Sequence, residues 1–334
     1  MIAITGTTGH LGQTLLRQMR SRGDAITAAV RESSNQTLLE GYCDQVYIAA
    51  LDDPDNLTKA FEGAHTVIHS AALIDIRRGS LDAMRRVNVA GTENVMQACI
   101  AAGVRRLVYV GSIEAFDLTA SRRPIREDFG FARGNAVMDY GETKAEACRR
   151  VTAMGLSGDL ETVIVCPTSI VGPWDYHDGL ITSMLRRTVK GHMPAYLTGG
   201  FDYVDVRDTA GAILAAGEKG RSGESYLVSG TFRTVKDLLT DLDQILGVRS
   251  NRRSLPLWFA RAAAEITEMA GRAAGREVLF TRGSVEILQV GADVDSSKAA
   301  EELGFQSRPL DETLRDTLEW ITRGTALNPE PVFV

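Results

Sequence analysis

Tyr140 and Lys144 stand four residues apart in Tyr140-Gly141-Glu142-Thr143-Lys144. On a helix that spacing puts both side chains on one face, a turn from each other. A phenol normally titrates at about 10, too high for easy proton transfer in neutral water. A cation one turn away favours the phenolate and lowers that value. Such a pair can pass a proton to and from an oxygen, as reducing a ketone or oxidising an alcohol requires. The same spacing also fits a solvated surface pair, so its meaning depends on its surroundings.

Two further segments supply those surroundings. Met1 to Thr5 reads as a buried strand that runs straight into Gly6-Thr7-Thr8-Gly9-His10-Leu11-Gly12. Gln13 to Arg22 then reads as a helix with Leu15, Leu16 and Met19 on its inner face. A glycine-rich turn between strand and helix lets backbone approach a pyrophosphate, and the helix N-terminus adds free N–H groups and a positive dipole end. Further on, Arg105-Arg106-Leu107-Val108-Tyr109-Val110-Gly111-Ser112 is an apolar strand with a hydroxyl at its carboxyl end. Ligands of open α/β sheets bind outside the carboxyl ends of the strands. Ser112 is thereby placed to hold a carbonyl oxygen beside Tyr140. The three features follow one another in the order that a nucleotide-binding redox fold needs.

The elements that must position these residues alternate. Strands are expected at Ala25 to Val30, Gln45 to Ala50, Thr66 to Ser70, Leu107 to Val110 and Thr162 to Cys166, with helices at Asn56 to Glu62, Leu81 to Ala102 and Tyr140 to Met154. The alternation predicts an α/β fold of the Rossmann type, a doubly wound parallel sheet. After Pro167 the texture changes, and helices are expected at Thr209 to Gly217, Thr234 to Leu246, Ser296 to Leu303 and Leu310 to Thr322, with a short strand at Tyr226 to Val228. We expect a nucleotide-binding domain over residues 1–170, with 201–220 returning to it, and a smaller α/β substrate lobe from 171–200 and 221–334.

Thr5 to Gly12, Ser112 and Tyr140 to Lys144 together resemble the pattern of the extended short-chain dehydrogenase/reductase superfamily, Thr-Gly-x-x-Gly-x-x-Gly, a strand-end serine and Tyr-x-x-x-Lys. The segments Val87 to Val95, Pro167 to Pro173 and Phe201 to Asp208 extend the resemblance over nearly the whole chain. Gly111-Ser112-Ile113-Glu114 is most similar to the branch of 3β-hydroxysteroid dehydrogenases and dihydroflavonol 4-reductases. The resemblance implies Ser112, Tyr140, Lys144 and Asn88 as the catalytic set. It implies a dinucleotide held by Gly6, Thr8, Gly9, His10, Leu11, Gly12, Arg31, Leu51, Ala71, Ala72 and Pro167, with Tyr140 and Lys144 touching it too. Glu114, Ser169, His177 and Phe201 are the implied substrate contacts.

Cofactor choice is read from the end of the second strand, where NAD-preferring sites carry an acid for the ribose 2′-hydroxyl. Here Val30 takes that place and Arg31 follows. A guanidinium suits a 2′-phosphate, so NADP(H) is favoured, with NAD(H) possible. The family's usual acid before the leucine after the third strand is Ala50 here, which leaves adenine to the backbone at Leu51.

Composition sets outer limits. The chain has 334 residues, 44% of them hydrophobic, a net charge of −6 and a pI of about 5.5, which argue against a nucleic-acid surface. Cys43, Cys99, Cys148 and Cys166 lack metal-ligand spacing and fit a reducing cytoplasm, and no histidine cluster suggests a metal. The first residues already read as strand, which leaves no room for a signal peptide. No stretch is apolar enough to span a bilayer, and Leu255 to Gly271 reads as an amphipathic helix. The partners expected are a small-molecule substrate and a second copy of the chain in a homodimer.

The leading expectation is an NADP(H)-dependent ketone reductase or alcohol dehydrogenase for a largely apolar cyclic or aromatic-bearing pair. A nucleotide-sugar epimerase or dehydratase using the same catalytic set is the alternative. Ile113 in place of a dehydratase aspartate, and Phe201 in place of an arginine that would grip a diphosphate, both weigh against it. A non-catalytic dinucleotide sensor is a third reading, disfavoured because Ser112, Tyr140 and Lys144 are all retained.

Overall fold

A computed structural model gives the structure of the chain and describes residues 1–75, 80–118, 124–256, 288 and 293–324. Seven parallel strands form the central sheet: β1 (Ile2–Thr5), β2 (Ile26–Val30), β3 (Gln45–Ile48), β4 (Thr66–His69), β5 (Arg106–Val110), β6 (Glu161–Pro167) and β10 (Ser225–Val228). Their order across the sheet is β10-β6-β5-β4-β1-β2-β3. The reversal between β1 and β4 makes the crevice at which open α/β sheets bind ligands.

Strand side chains point alternately to opposite faces, and the core divides accordingly. Ala3, Val67, Leu107, Tyr109, Ile164, Cys166 and Leu227 face one layer of helices, α2 (Pro54–Phe61), α4 (Gly91–Ala101) and α5 (Asp139–Ser157). Ile2, Ile4, Ile68, Val108, Val110, Val163, Val165, Tyr226 and Val228 face the other, α1 (His10–Ser21) and α7 (Val206–Lys219). Leu15, Leu16 and Met19 of α1 are fully buried there, each worth about 1.5–3 kcal/mol. β3 is the exposed edge, with Val46, Tyr47 and Ile48 open to solvent.

The segment expected as one helix from Leu81 to Ala102 is instead α3 (Leu81–Met84), a π-helical stretch Arg85–Ala90, and α4. Asn88 lies in that π stretch, the kind of helix defect that is frequent at functional sites.

A second sheet of three strands, β11 (Thr231–Thr234), β9 (Gly200–Asp205) and β7 (Ser169–Val171), and a pair of β12 (Arg253–Leu255) with β8 (Ala195–Leu197) build the smaller lobe. The helices α6 (Leu180–Val189), α8 (Val235–Leu246) and Leu310–Gly324 pack with it around Leu185, Leu238, Leu242, Leu314 and Leu318. Two segments depart from the expected division of the chain. Ser225–Val228 belongs to the large sheet, paired in parallel with Ile164 to Pro167, and not to the smaller lobe. Residues 200–205 belong to the small sheet, and only α7 after them returns to the large one. The physical reason is pairing: the outer edge of β6 carries unpaired backbone groups, and the apolar strand Ser225–Val228 satisfies them. Most of the amphipathic helix expected over Leu255 to Gly271 lies outside the described residues.

Candidate active site

At the end of β5 the chain turns through Gly111 and Ser112 into a 3₁₀ turn, Ile113–Ala115. A Cβ at Gly111 would lie 2.4 Å from Cys166 Sγ, so the strand end packs against β6 only with glycine there. Ser112 Oγ accepts the Glu114 backbone N–H at 3.1 Å and lies close enough to the phenol of Tyr140 to favour its ionised form. α5 presents Tyr140 from its first turn. It comes this close because residue 141 is glycine: a Cβ there would meet the Glu114 carbonyl oxygen at 2.4 Å.

Lys144, one turn on, is buried. Its Nζ donates to the Tyr109 hydroxyl at 2.7 Å and to the Val110 carbonyl at 2.6 Å. Burial pulls its pKa down to about 8. The phenol of Tyr140 is pushed above the usual tyrosine range, first by burial and then by the charge of Glu114, with the Ser112 hydroxyl opposing. The lowering that a lysine one turn away was expected to produce is not made in this arrangement, because the ammonium is engaged by β5. Burial raises Glu114 itself to about 7.

Asn88 is buried and fully engaged. It donates to the Leu73 carbonyl at 2.9 Å and to Thr143 Oγ1 at 3.1 Å, and its Oδ1 accepts Leu73 N–H at 2.7 Å. Thr143 in turn donates to the Tyr140 carbonyl at 2.8 Å. On the other side, Thr92 gives its hydroxyl proton to the Asn88 carbonyl at 2.7 Å. It therefore accepts from His69 Nε2 at 3.1 Å, which leaves Nδ1 to accept the Thr5 hydroxyl at 2.7 Å. Burial, helped by the charge of Lys144, takes His69 down to about 3, so the ring is neutral. A continuous buried network thus joins the strand before the glycine loop to the helix that carries Tyr140. The sequence reading missed Thr92, Thr143 and Tyr109. The one signal for Tyr109 was a polar tip in an otherwise apolar strand.

The glycine loop fits a dinucleotide phosphate. Gly6 has φ +78°, and a Cβ there would sit 2.6 Å from Ala71 N. At Gly12 a Cβ would sit 2.1 Å from the Gly6 carbonyl oxygen. Gly9 caps α1 without a side-chain hydrogen bond, so the first N–H groups of the helix are left for a ligand. The buried hydroxyl of Thr7 has no partner among the described residues. Gln13, fully buried, braces the loop by donating to the Thr7 carbonyl at 2.9 Å and the Leu38 carbonyl at 3.1 Å.

The other expected contacts are placed as follows. Thr8 and Leu11 flank the loop's turn into α1, and the His10 ring bonds the Pro173 carbonyl at 3.0 Å, tying the loop to the segment after β7. Arg31 is exposed just past β2. The Leu51 carbonyl is taken by Asn94 at 2.8 Å, and its side chain lies against Gly91. Ala71 and Ala72 follow β4, and Pro167 ends β6 opposite Val228. Ser169 opens β7, and His177 is exposed in the loop whose turn is held by Asp175. Phe201 packs edge-on to Tyr203, ring centroids 6.0 Å apart, against the core of the smaller lobe. Among the described residues no group of acidic, histidine or cysteine side chains is placed to hold a metal, and no helix is long and apolar enough to cross a membrane.

Comparison with known proteins adds three relatives and a family. A family model described as the NAD dependent epimerase/dehydratase family matches residues 2–229. Sterol demethylase protein B of Methylococcus capsulatus is 32% identical over 319 residues, covering 95% of this chain and 97% of the relative. A ketoreductase of Stigmatella aurantiaca, named for 4-hydroxy-2-methyl-3-oxo-4-farnesyl-3,4-dihydroquinoline-1-oxide, is 28% identical over 314 residues, covering 91% of each chain. The solved structure of a nucleoside-diphosphate-sugar epimerase from Pseudomonas aeruginosa superposes with a TM-score of 0.78 at 25% identity, covering 97% of each chain.

Proposed function

The chain belongs to the NAD dependent epimerase/dehydratase family, and within it we propose an NADP(H)-dependent oxidoreductase that interconverts a largely apolar cyclic or aromatic-bearing ketone and its alcohol. The observation that carries this reading is that Ser112, at the carboxyl end of β5, and Tyr140, in the first turn of α5, are brought together, close enough for the Ser112 hydroxyl to act on the phenol. Two hydroxyls converging on one point can hold a carbonyl oxygen and hand it a proton. Ser112 orients that oxygen and steadies the charge that develops on it. Tyr140 delivers the proton in reduction and takes it in oxidation. Asn88 and Thr143 hold the first turn of α5 in place for this transfer. The glycine loop, with the open N-terminus of α1 and the Thr7 hydroxyl, which has no partner among the described residues, would hold the pyrophosphate. When bound there, the nicotinamide supplies or accepts the hydride.

Arg31 supports the preference for NADP(H), since an exposed guanidinium at the end of β2 can pair a 2′-phosphate. An apolar substrate is supported by the chemistry in the relatives' names, a sterol in one and a farnesyl-bearing ring ketone in the other. It is supported also by Phe201, which cannot neutralise a sugar diphosphate. The four free thiols fit a reducing compartment.

The test is a panel of apolar cyclic ketones and their alcohols beside UDP- and dTDP-sugars, each with NADPH and NADH, read at the reduced nicotinamide absorbance and by product analysis. Turnover of ketones with NADPH is expected. Turnover or thermal stabilisation by a nucleotide sugar, with none by ketones, would overturn this reading in favour of an epimerase.

A further inference from the structure

Glu114 sits between the two hydroxyls of the site. Its backbone N–H is bonded to Ser112 Oγ, its backbone carbonyl lies against Gly141, and its carboxyl acts on the Tyr140 phenol. Its Oε2 is sealed from solvent and has no hydrogen-bond partner among the described residues. Leaving a carboxyl oxygen buried and unpaired is costly, and a protein that keeps one there lacks a structural reason to do so.

Three other buried side-chain atoms share that condition, and each is accounted for. Asp24 Oδ2 has the ion pair with Arg22, and the guanidinium of Arg252 is held through its other nitrogens by Asp243. Thr7 lies in the glycine loop. No such account exists for Glu114 among the described residues: the buried ammonium of Lys144 is taken by Tyr109 and Val110.

We propose that Glu114 is a specificity-determining residue, whose buried carboxyl hydrogen-bonds a hydroxyl carried by the substrate on the carbon next to the one reduced or oxidised. The proposal rests on the ketone–alcohol reading above. The adjacent carbon follows from the tight turn: Ser112, which orients the reacting oxygen, and Glu114 are two residues apart on it, and the Glu114 carboxyl is close enough to act on the Tyr140 phenol that meets the same oxygen. A hydroxyl is favoured over a cation because the residues flanking Glu114 in the chain, Ile113, Ala115 and Phe116, are apolar and buried, and no second acid is grouped with it among the described residues. A hydroxyl can also serve the carboxyl in either protonation state, giving a hydrogen bond to the anion and taking one from the acid. A substrate that lacks the hydroxyl leaves the oxygen unpaired, and sites built on a buried polar partner reject such analogues strongly.

The test compares tetralone with hydroxytetralone, the same ketone bearing a hydroxyl on the adjacent carbon, for the wild-type chain, Glu114→Gln and Glu114→Met. Two readouts are taken: NADPH-dependent kcat/KM, and the melting temperature of the protein alone. Glu114→Met is expected to lose about 10–100-fold more in kcat/KM on hydroxytetralone than on tetralone, since any change made through the Tyr140 phenol is common to both ketones. Glu114→Gln, which keeps an acceptor, is expected to retain much of the preference. Without ligand, Glu114→Met is expected to melt higher, since it removes an unpaired buried oxygen. Equal losses on both ketones, no loss on either, or a lower melting temperature for Glu114→Met would each overturn the proposal. If the wild-type chain reduces neither ketone, the ketone reading fails by itself. The melting temperature then decides Glu114 alone: a rise keeps it as a ligand-facing group and a fall removes it.

Discussion

Lys144 and Tyr109 are joined by a buried hydrogen bond of 2.7 Å, with the ammonium 4.2 Å from the centre of the tyrosine ring. The lysine that the sequence pairs with Tyr140 is held by the strand beneath the site. Bringing its charge to the phenol requires giving up the Tyr109 hydroxyl and the Val110 carbonyl. The activity of Tyr140 is thereby tied to a residue that touches neither of the two hydroxyls of the site.

Tyr109→Phe removes one of those acceptors and keeps the buried ring. The alcohol-oxidation rate is expected to rise at lower pH than in the wild-type chain, because a less firmly held ammonium can approach Tyr140 and lower its pKa. The pH profile of kcat/KM measures it, and an unchanged profile would show that the bond to Tyr109 does not restrain Lys144.

Tyr140→Phe is expected to reduce turnover by roughly 10²–10⁴-fold, the usual worth of a positioned proton donor. Dinucleotide binding should be largely kept, because the glycine loop that would hold the pyrophosphate is braced by Gln13 and does not depend on the phenol. Fluorescence titration with NADPH beside steady-state rates separates the two effects. A near-normal rate would require another acid.

Arg31→Ala should weaken NADPH binding by about 10–100-fold, the loss of a charge-assisted contact to phosphate, and leave NADH unchanged. Paired titrations give the ratio. If the ratio does not move, Arg31 does not read the 2′-phosphate.

His69→Leu strands the Thr5 and Thr92 hydroxyls and should cost about 1–3 kcal/mol at neutral pH. The sign of its pH dependence follows from the ring's pKa, about 3 in the fold against 6.5 ordinarily. A depressed histidine contributes stability that is complete above 6.5 and is lost as pH falls toward 3. The stability gap between wild type and variant should therefore narrow on acidification. Urea melts at about pH 7.5 and about pH 4 test it, and a gap that widens in acid would contradict a neutral buried ring.

Gly12→Ala places a methyl group 2.1 Å from the Gly6 carbonyl oxygen. The loop must open, so dinucleotide binding should be lost with a smaller loss of melting temperature. Thermal shift with and without NADPH checks both.

The sheet and its site were legible to different depths. Short continuous apolar runs marked most of the strands because both faces of the sheet are covered, so a strand such as Leu107 to Val110 can be little else. The glycine loop was legible because its geometry admits no side chain at residues 6 and 12. The place of β10 was not, since a four-residue strand carries no mark of which sheet edge it will pair with. The ammonium of Lys144 was misplaced for a similar reason. Helical spacing gives the face on which a side chain starts, but a long flexible side chain ends where the acceptors are, and those belong to another strand.

The position of β10 at the outer edge of β6 has a consequence for how the protein is made and cut. During synthesis the edge of β6 stays bare while the next 57 residues or so are added, as the chain builds β7, β8, β9 and α7 before residue 225 arrives. The two lobes are thus interlaced, and neither can be excised. A chimaera joined after Pro167 would transplant a relative's seventh strand into this sheet along with its substrate lobe. Exchanging specificity between relatives should instead graft residues 168–205 and those after 229, leaving α7 and β10 with the sheet they complete.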